Sequence, residues 1–414
     1  MKFFFPDSHD LVDPSFDFQT ERRAHFGSRQ LGQRYAHELL DEPPYDGILL
    51  SKAMIDPHSK SREVRYSFAQ VQRLKRLGAR EFLRLDRPGL KKRLETMGDC
   101  GSFSYASELE PPFNISTVIE FYLDCQFDYG ISLDHVILGY KNSDAEDVPE
   151  EWRRRFEITI NKASEFLRAT KKNKLPFTPI GAAQGWSPSS YREAVIKLQK
   201  MGYDYIALGG MVPLRTPQLL LCLQAVSEVR RPKTKFHLLG ISRLEKLEEF
   251  QRFGIYSLDS TSPLKLAFMD DKDNYHTLTR TYTAVRIPQV DGNNQLKKLI
   301  LAGKIDFAQA RRLELACFDG VIAYDKGKLS LDELIERLRE YEAVWHGEKD
   351  DSMRYRETLE HKPWKKCRCA VCKTLGIHVV LFRGAERNRS RGFHNLYILG
   401  RRLDRLAKQE EAVA

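Results

Sequence analysis

The sequence predicts an α/β fold, a TIM (β/α)8 barrel with an inserted or appended zinc-binding subdomain. Three observations predict it. Short β-branched or aromatic runs alternate with helical patterns through the middle of the chain, polar residues repeatedly terminate those runs, and a C-x-C-x-x-C cluster stands near the C-terminus. In one unit, Ser190-Tyr191-Arg192-Glu193 reads as a capping box opening a helix through Val195, Leu198 and Met201. Gly202 stops that helix, and Tyr203 to Leu208 resumes a strand. In the next, Lys235 to Gly240 reads as a strand, Leu244, Leu247 and Phe250 mark a helix face ended by Gly254, and Ile255 to Leu258 is again a strand. Gly47 to Ser51, Leu94 to Gly98, Tyr129 to Leu133 and Pro176 to Ala183 extend the series. With about eight such segments a closed barrel outranks a doubly wound open sheet. Residues 1–45 read as an N-terminal extension, 46–300 as the main part of the barrel, and 301–414 as a helical, zinc-binding subdomain carrying the end of the barrel.

The 414 residues suffice for one large barrel with appendages. Lys and Arg number 67 against 57 Asp and Glu, a formal charge of +10 that favours a polyanionic partner. The apolar run Phe3-Phe4-Phe5 is too short for a signal peptide, and no stretch reaches the ~20 apolar residues of a membrane span, so a cytoplasmic protein with no membrane partner is expected. Cys100, Cys125, Cys222 and Cys317 are scattered singly, which suits a reducing compartment.

Cys367, Cys369 and Cys372, with His394 in Gly392-Phe393-His394-Asn395, supply the four ligands of a closed tetrahedral zinc site. Three thiols this close do not all pair as disulfides without strain. His378, nearer in sequence but within an apolar run, is the competing fourth ligand. A closed ligand set leaves no open position, so the expected role of the zinc is structural.

In a barrel of this kind the chemistry sits where strands end. Asp99, Asp134 and Asp259 each close an apolar run. A single Asp there is ordinarily a cap or turn residue; three at corresponding positions, two beside small residues, point to a site. Gln184-Gly185 and Gly209-Gly210 also follow strands, where a carboxamide and main-chain amides can read the edge of a planar heterocycle.

Together these stretches resemble the tRNA-guanine transglycosylase superfamily. The matching segments are Gly98-Asp99-Cys100-Gly101-Ser102-Phe103, Gly181-Ala182-Ala183-Gln184-Gly185, Leu208-Gly209-Gly210, His237-Leu238-Leu239-Gly240, Leu258-Asp259-Ser260-Thr261-Ser262 and the Cys367, Cys369, Cys372, His394 cluster, in the family's order. The resemblance implies a barrel with a zinc subdomain that exchanges guanine in nucleic acid for a 7-deazaguanine. It implies Asp259 as nucleophile and Asp99 as general acid/base, a double displacement that retains the sugar's configuration. It further implies Asp134 as acceptor for the donors of a guanine-like base, Phe103 as the ring stacked on it, and Gln184 with Gly209 and Gly210 at its carbonyl edge and 7-substituent.

The archaeal enzymes of the superfamily continue into RNA-binding domains where this chain stops, and His135 beside Asp134 is not the usual neighbour. The opening Phe5-Pro6-Asp7-Ser8-His9-Asp10-Leu11-Val12-Asp13-Pro14 is similar to the start of the DNA-modifying branch, DpdA, which inserts 7-cyano-7-deazaguanine (preQ0) into DNA beside further DNA-modification proteins. Enzymes acting on tRNA and silent nucleic-acid-binding subunits are the alternatives, the latter disfavoured by retention of both Asp99 and Asp259. A flipped or opened target needs backbone contacts to offset unstacking. Arg383, Arg387, Arg389 and Arg391, continued by Arg401 and Arg402, flank His394 and are the preferred candidates. The other run spans Arg73, Lys75, Arg76, Arg80, Arg84, Arg87, Lys91, Lys92 and Arg93.

Overall fold

The structure is a computed structural model that describes residues 1–7, 9–23, 32–55, 65–86, 90, 92–142, 147–347 and 349–413. Ser8, Arg87 and Lys91, named above, lie outside the described residues. The chain forms two compact units. The first comprises Met1–His9, Tyr45–Thr261 and Leu403–Ala414, the second Asp10–Pro44 and Ser262–Arg402.

The first unit is the closed, all-parallel barrel that the alternation predicts. Its strands are β1 Lys2–Pro6, β2 Gly47–Ser51, β3 Glu95–Asp99, β4 Tyr129–Ile131, β5 Thr178–Ala183, β6 Tyr205–Leu208, β7 Lys235–Leu238 and β8 Ile255–Asp259. Between successive strands from β2 onward run α1 Phe68–Phe82, α2 Ile115–Asp124, α3 Glu150–Lys172, α4 Pro188–Met201, α5 Thr216–Glu228 and α6 Leu247–Arg252. Side chains pointing inward on alternate residues fill the barrel: Phe4, Leu49, Met97, Ile131, Ile180, Ala182, Tyr205 and Ala207 form one buried cluster. Alanines on β5 and β6 leave room for the edge-to-face pair of Tyr129 and Tyr205, whose centroids lie 5.7 Å apart. Phe4, Leu49, Met97, Ile131 and Ile180 each contribute roughly 1.5–3 kcal/mol by leaving water.

Both domain boundaries differ from expectation. Residues 1–45 are no extension, since Lys2–Pro6 closes the barrel: Phe4 pairs with Asp259 on one side and with Gly47 on the other. Phe3, Phe4 and Phe5 are buried, so this strand is apolar on both faces and lacks the alternation that marks a half-exposed one. The second boundary falls at residue 261, not 300, because the segment after β8 packs within the second unit. There Arg391 donates to the Ala267 carbonyl, and the His276 amide donates to Asn395. Helix α4 starts three residues before the expected box: Ser187 accepts from the Ser190 amide, with Pro188 setting the first turn.

The second unit is mainly helical, with α7 Ser262–Met269, α8 Asn294–Leu301, α9 Phe307–Asp325, α10 Leu331–His346, α11 Ser352–His361 and the start of α12 Gly384–Val413. No helix among the described residues is long and apolar enough to cross a membrane.

Gly98, on β3, is a point of close approach. An added Cβ would stand 2.6 Å from the rings of Phe127 and Tyr122. Gly98→Ala is expected to destabilise the fold by about 1–3 kcal/mol through overpacking, read as a lower urea midpoint with an unchanged m-value.

Candidate active site and metal centre

Asp99 stands two residues beyond the inward-facing Met97, so the strand's period carries it to the same face at the C-terminal end of β3. Gly101, at φ +80°, turns the chain back and its amide donates to Asp99 Oδ2 at 2.9 Å. The following turn, Ser102–Tyr105, lifts Phe103 into solvent, 51% exposed, with no part in the core. Ser102 Oγ and Gln184 Nε2 both donate to Asp134 Oδ2, at 3.2 and 2.6 Å, and Tyr105 OH donates to the Asp134 carbonyl at 3.0 Å. Gln184 thus commits one N–H to Asp134, while its Oε1 accepts from the Ile137 amide at 3.3 Å.

Gly209 and Gly210 are glycines by necessity. A Cβ on Gly209 would lie 2.3 Å from Gln184 Nε2, and Gly210 holds φ +73° with the Ile137 carbonyl 2.5 Å from where its Cβ would stand.

Asp259 ends β8 and is buried. Its Oδ1 accepts from the Gly240 amide at 3.0 Å and lies 3.0 Å from His237 Nε2. His237 Nδ1 is 2.7 Å from Ser257 Oγ, which also bonds to the Tyr205 hydroxyl. Asp259 Oδ2 makes no hydrogen bond among the described residues. Sequence reasoning quoted His237 only within a motif and assigned it no role. The signal was positional: β7 and β8 are neighbours, and register sets His237 opposite Ser257, two residues before Asp259.

The three carboxylates interact. Burial pushes the Asp99 carboxyl up to about 7, and the charges of Asp134 and Asp259 add to the rise. Burial raises Asp134 to about 6 against the opposing hydrogen bonds from Gln184 and Ser102. One end of the barrel therefore offers a carboxyl able to hold a proton near neutrality, a second held by side-chain donors, and a third with one oxygen fixed and the other free.

A search of protein-family models finds no match to the chain. It is 46% identical over 410 residues to a DNA-guanine transglycosylase of Salmonella montevideo, across 97% of this chain and 96% of the relative. The chain belongs to the guanine transglycosylase family. It is accordingly an enzyme of the glycosyltransferase class, in agreement with the resemblance of its motifs.

Within the second unit, Cys367, Cys369, Cys372 and His394 converge, with all ligand atoms within 4.8 Å of one another. His394 Nδ1 lies 3.5, 3.5 and 3.3 Å from the three sulfurs. A tetrahedral zinc ion with Zn–S near 2.3 Å and Zn–N near 2.05 Å requires about 3.6 Å, so the set fits such an ion. The His276 carbonyl accepts from Nε2 at 2.8 Å, which leaves Nδ1 as the ligand nitrogen. Tyr275 stacks on His394 at 4.1 Å, and its hydroxyl reaches Cys372 Sγ at 3.2 Å. His378 is not in the group; it packs between the rings of Phe18 and Phe318.

The expected backbone contacts need correction. Arg387 and Arg391 stand four apart on α12 and Arg383 just before its start, and all three are buried. Arg383 bonds Glu21 and Glu314 at 2.7 and 2.6 Å, Arg387 pairs with Glu21, and Arg391 donates to the Leu381 carbonyl at 2.8 Å. These three are core residues with no surface to offer a phosphate. Arg389 alone of the four is partly exposed, 3.9 Å from Glu386. In the other run Arg80 and Arg93 are paired with Asp86 and Asp128, and Lys92 with Asp46, while Arg73 and Arg76 are exposed.

Two outcomes are expected. Asp99 and Asp134 hold protons more tightly when folded than the usual carboxylate value near 4, so the folded state binds more protons between about pH 4 and 7 and stability falls as pH rises through that window. Asp99→Asn removes the Asp99 part of that fall, so its urea midpoint relative to the wild type should rise from pH 4 to pH 7.5. Cys369→Ser should release the metal, measured as metal per chain, and expose second-unit amides to hydrogen exchange at least tenfold faster.

Proposed function

We propose that the protein exchanges a guanine base in DNA for 7-cyano-7-deazaguanine by double displacement, with Asp259 as nucleophile and Asp99 as general acid/base. The observation that carries this reading is the grouping of three carboxylates at the strand ends, with Asp134 and Asp259 both acting on Asp99 and Asp259 holding one fixed and one free oxygen. The relative's name, DNA-guanine transglycosylase, supports DNA as the polymer.

In the first half, the free Oδ2 of Asp259 bonds to C1′ as the C1′–N9 bond breaks, its electron pair leaving with guanine, which takes a proton from Asp99. In the second half, the incoming base gives a proton to Asp99, its ring nitrogen bonds to C1′, and the C1′–Oδ2 bond breaks. The donors on Oδ1, His237 and the Gly240 amide, position the carboxylate and stabilise the charge it regains on departure. Asp134 accepts from the donors of the base, Gln184 orients Asp134, and Gly209 and Gly210 let the main chain approach the opposite edge. Phe103, exposed beside Asp99, is the stacking ring. The Cys3His group holds structural zinc, which fixes Cys367, Cys369, Cys372 and His394 in the second unit and takes no part in the exchange.

The test is nucleoside mass spectrometry on single-stranded DNA, duplex DNA and tRNA, each incubated with zinc-loaded protein and 7-cyano-7-deazaguanine. Modified deoxynucleoside is expected, absent with Asp259→Ala; modification confined to tRNA would overturn the DNA reading. His237→Ala should lower kcat at least tenfold with little change in KM for the base, and a denaturation-stable protein–DNA adduct should accumulate as the second half slows.

A further inference from the structure

The second unit holds a cavity of about 490 Å3 beside the metal ligands Cys367 and His394. That volume lies in the range of ligand sites, roughly 300–1,000 Å3. Lys366, Arg368 and Arg401 line it together with Tyr275, Tyr282 and Tyr397, and no carboxylate does.

The charges do not cancel locally. Three thiolates and a divalent zinc leave one net negative charge, which a single cation offsets. Lys366 and Arg368 are exposed and have no ion-pair partner among the described residues, whereas nearby Lys365 is paired with Asp325 at 2.8 Å. With three cations and no carboxylate in the lining, the cavity stays net positive after that offset.

The rings differ in what they have free. Tyr275 is stacked on His394 and bonded to Cys372, and one face of Tyr282 lies under the Arg280 guanidinium at 4.5 Å. Tyr397, half-buried, is the ring left to receive a planar group. Unpaired cations next to an open aromatic face are the elements that hold the backbone and a base of a single strand.

We infer that this cavity binds one nucleotide unit of single-stranded DNA, its phosphate on Lys366 and Arg368 and its base against Tyr397. The inference rests on the proposed DNA substrate, and it replaces the buried arginines as the second unit's contact with the strand.

The experiment is fluorescence anisotropy of a labelled single-stranded 12-mer with full-length, zinc-loaded protein between 50 and 200 mM NaCl. Each lost phosphate contact lowers the slope of log K against log salt by about 0.7, so Lys366→Ala with Arg368→Ala should lower it by about 1.4 and weaken binding at 50 mM about tenfold or more. Tyr397→Leu should weaken binding and leave the slope as it is, since it removes stacking and no charge. An unchanged slope in the alanine pair with zinc retained overturns the inference. Should that pair lose zinc, Lys366→Gln is read instead: a slope lower by about 0.7 supports the site and an unchanged one overturns it. Full competition by a deoxymononucleotide at matched phosphate concentration would reassign the cavity to free nucleotides. Base exchange by wild-type protein reports on the DNA reading separately, so failure of the cavity and failure of the substrate assignment are distinguishable.

Discussion

Carboxylates gathered at one end of a closed barrel repel one another, and much of the first unit is arranged to contain that repulsion. Asp134 is met by Ser102 and Gln184, and Asp259 by His237 and the Gly240 amide. Asp99 receives the Gly101 amide and is pushed up to about 7. Keeping such a group folded opposes stability at neutral pH, and the apolar layer beneath, from Phe4 around to Ala207, offsets it. The same arrangement explains the glycines. Donors can close on a carboxylate from several strands only where Gly101, Gly209, Gly210 and Gly240 let the main chain come near.

Features with a local period or a local motif were legible in the sequence, and those made by distant partners were not. The barrel showed itself because β2 to β8 are bracketed by glycines, caps and helical faces. β1 was missed because Phe3-Phe4-Phe5 alternates with nothing and has no preceding turn. The aspartates stood out because each closes an apolar run, while His237 did not, since a histidine inside Phe236–Leu239 resembles ordinary core until Ser257 and Asp259 are brought beside it. The arginine run was misread for a related reason. The carboxylates that pair with Arg383 and Arg387, Glu21 and Glu314, lie far off in sequence.

The second unit depends on polar assemblies of this long-range kind. Burial pushes the Glu21 carboxyl up, yet the bonds and charges of Arg383 and Arg387 outweigh that and hold it near 2. Removing one member of such a buried set leaves the others uncompensated, a loss of about 3–5 kcal/mol. The Cys3His group has the same logic: Cys367 to Cys372 form a tight local turn, but His394 arrives from α12 and is oriented by His276. Two segments distant in sequence are joined through a ligand set and its outer hydrogen bonds.

The proposed division of roles among the aspartates rests on which donors each can reach. A nucleophile needs an oxygen that is held in direction and unobstructed, and Asp259 has one oxygen held by two N–H groups with the other free. A proton carrier needs a value near the working pH, and Asp99 is buried against two carboxylates with the weakest set of donors. Exchanging the proposed roles would place the attack on Asp99, a group that holds a proton for part of the time at pH 7. His237 is what makes the asymmetry: its Nε2 reaches Asp259, and its Nδ1 is tied through Ser257 to Tyr205 at the level of the barrel core, so the orientation of Asp259, the proposed nucleophile, is anchored in the packing below it.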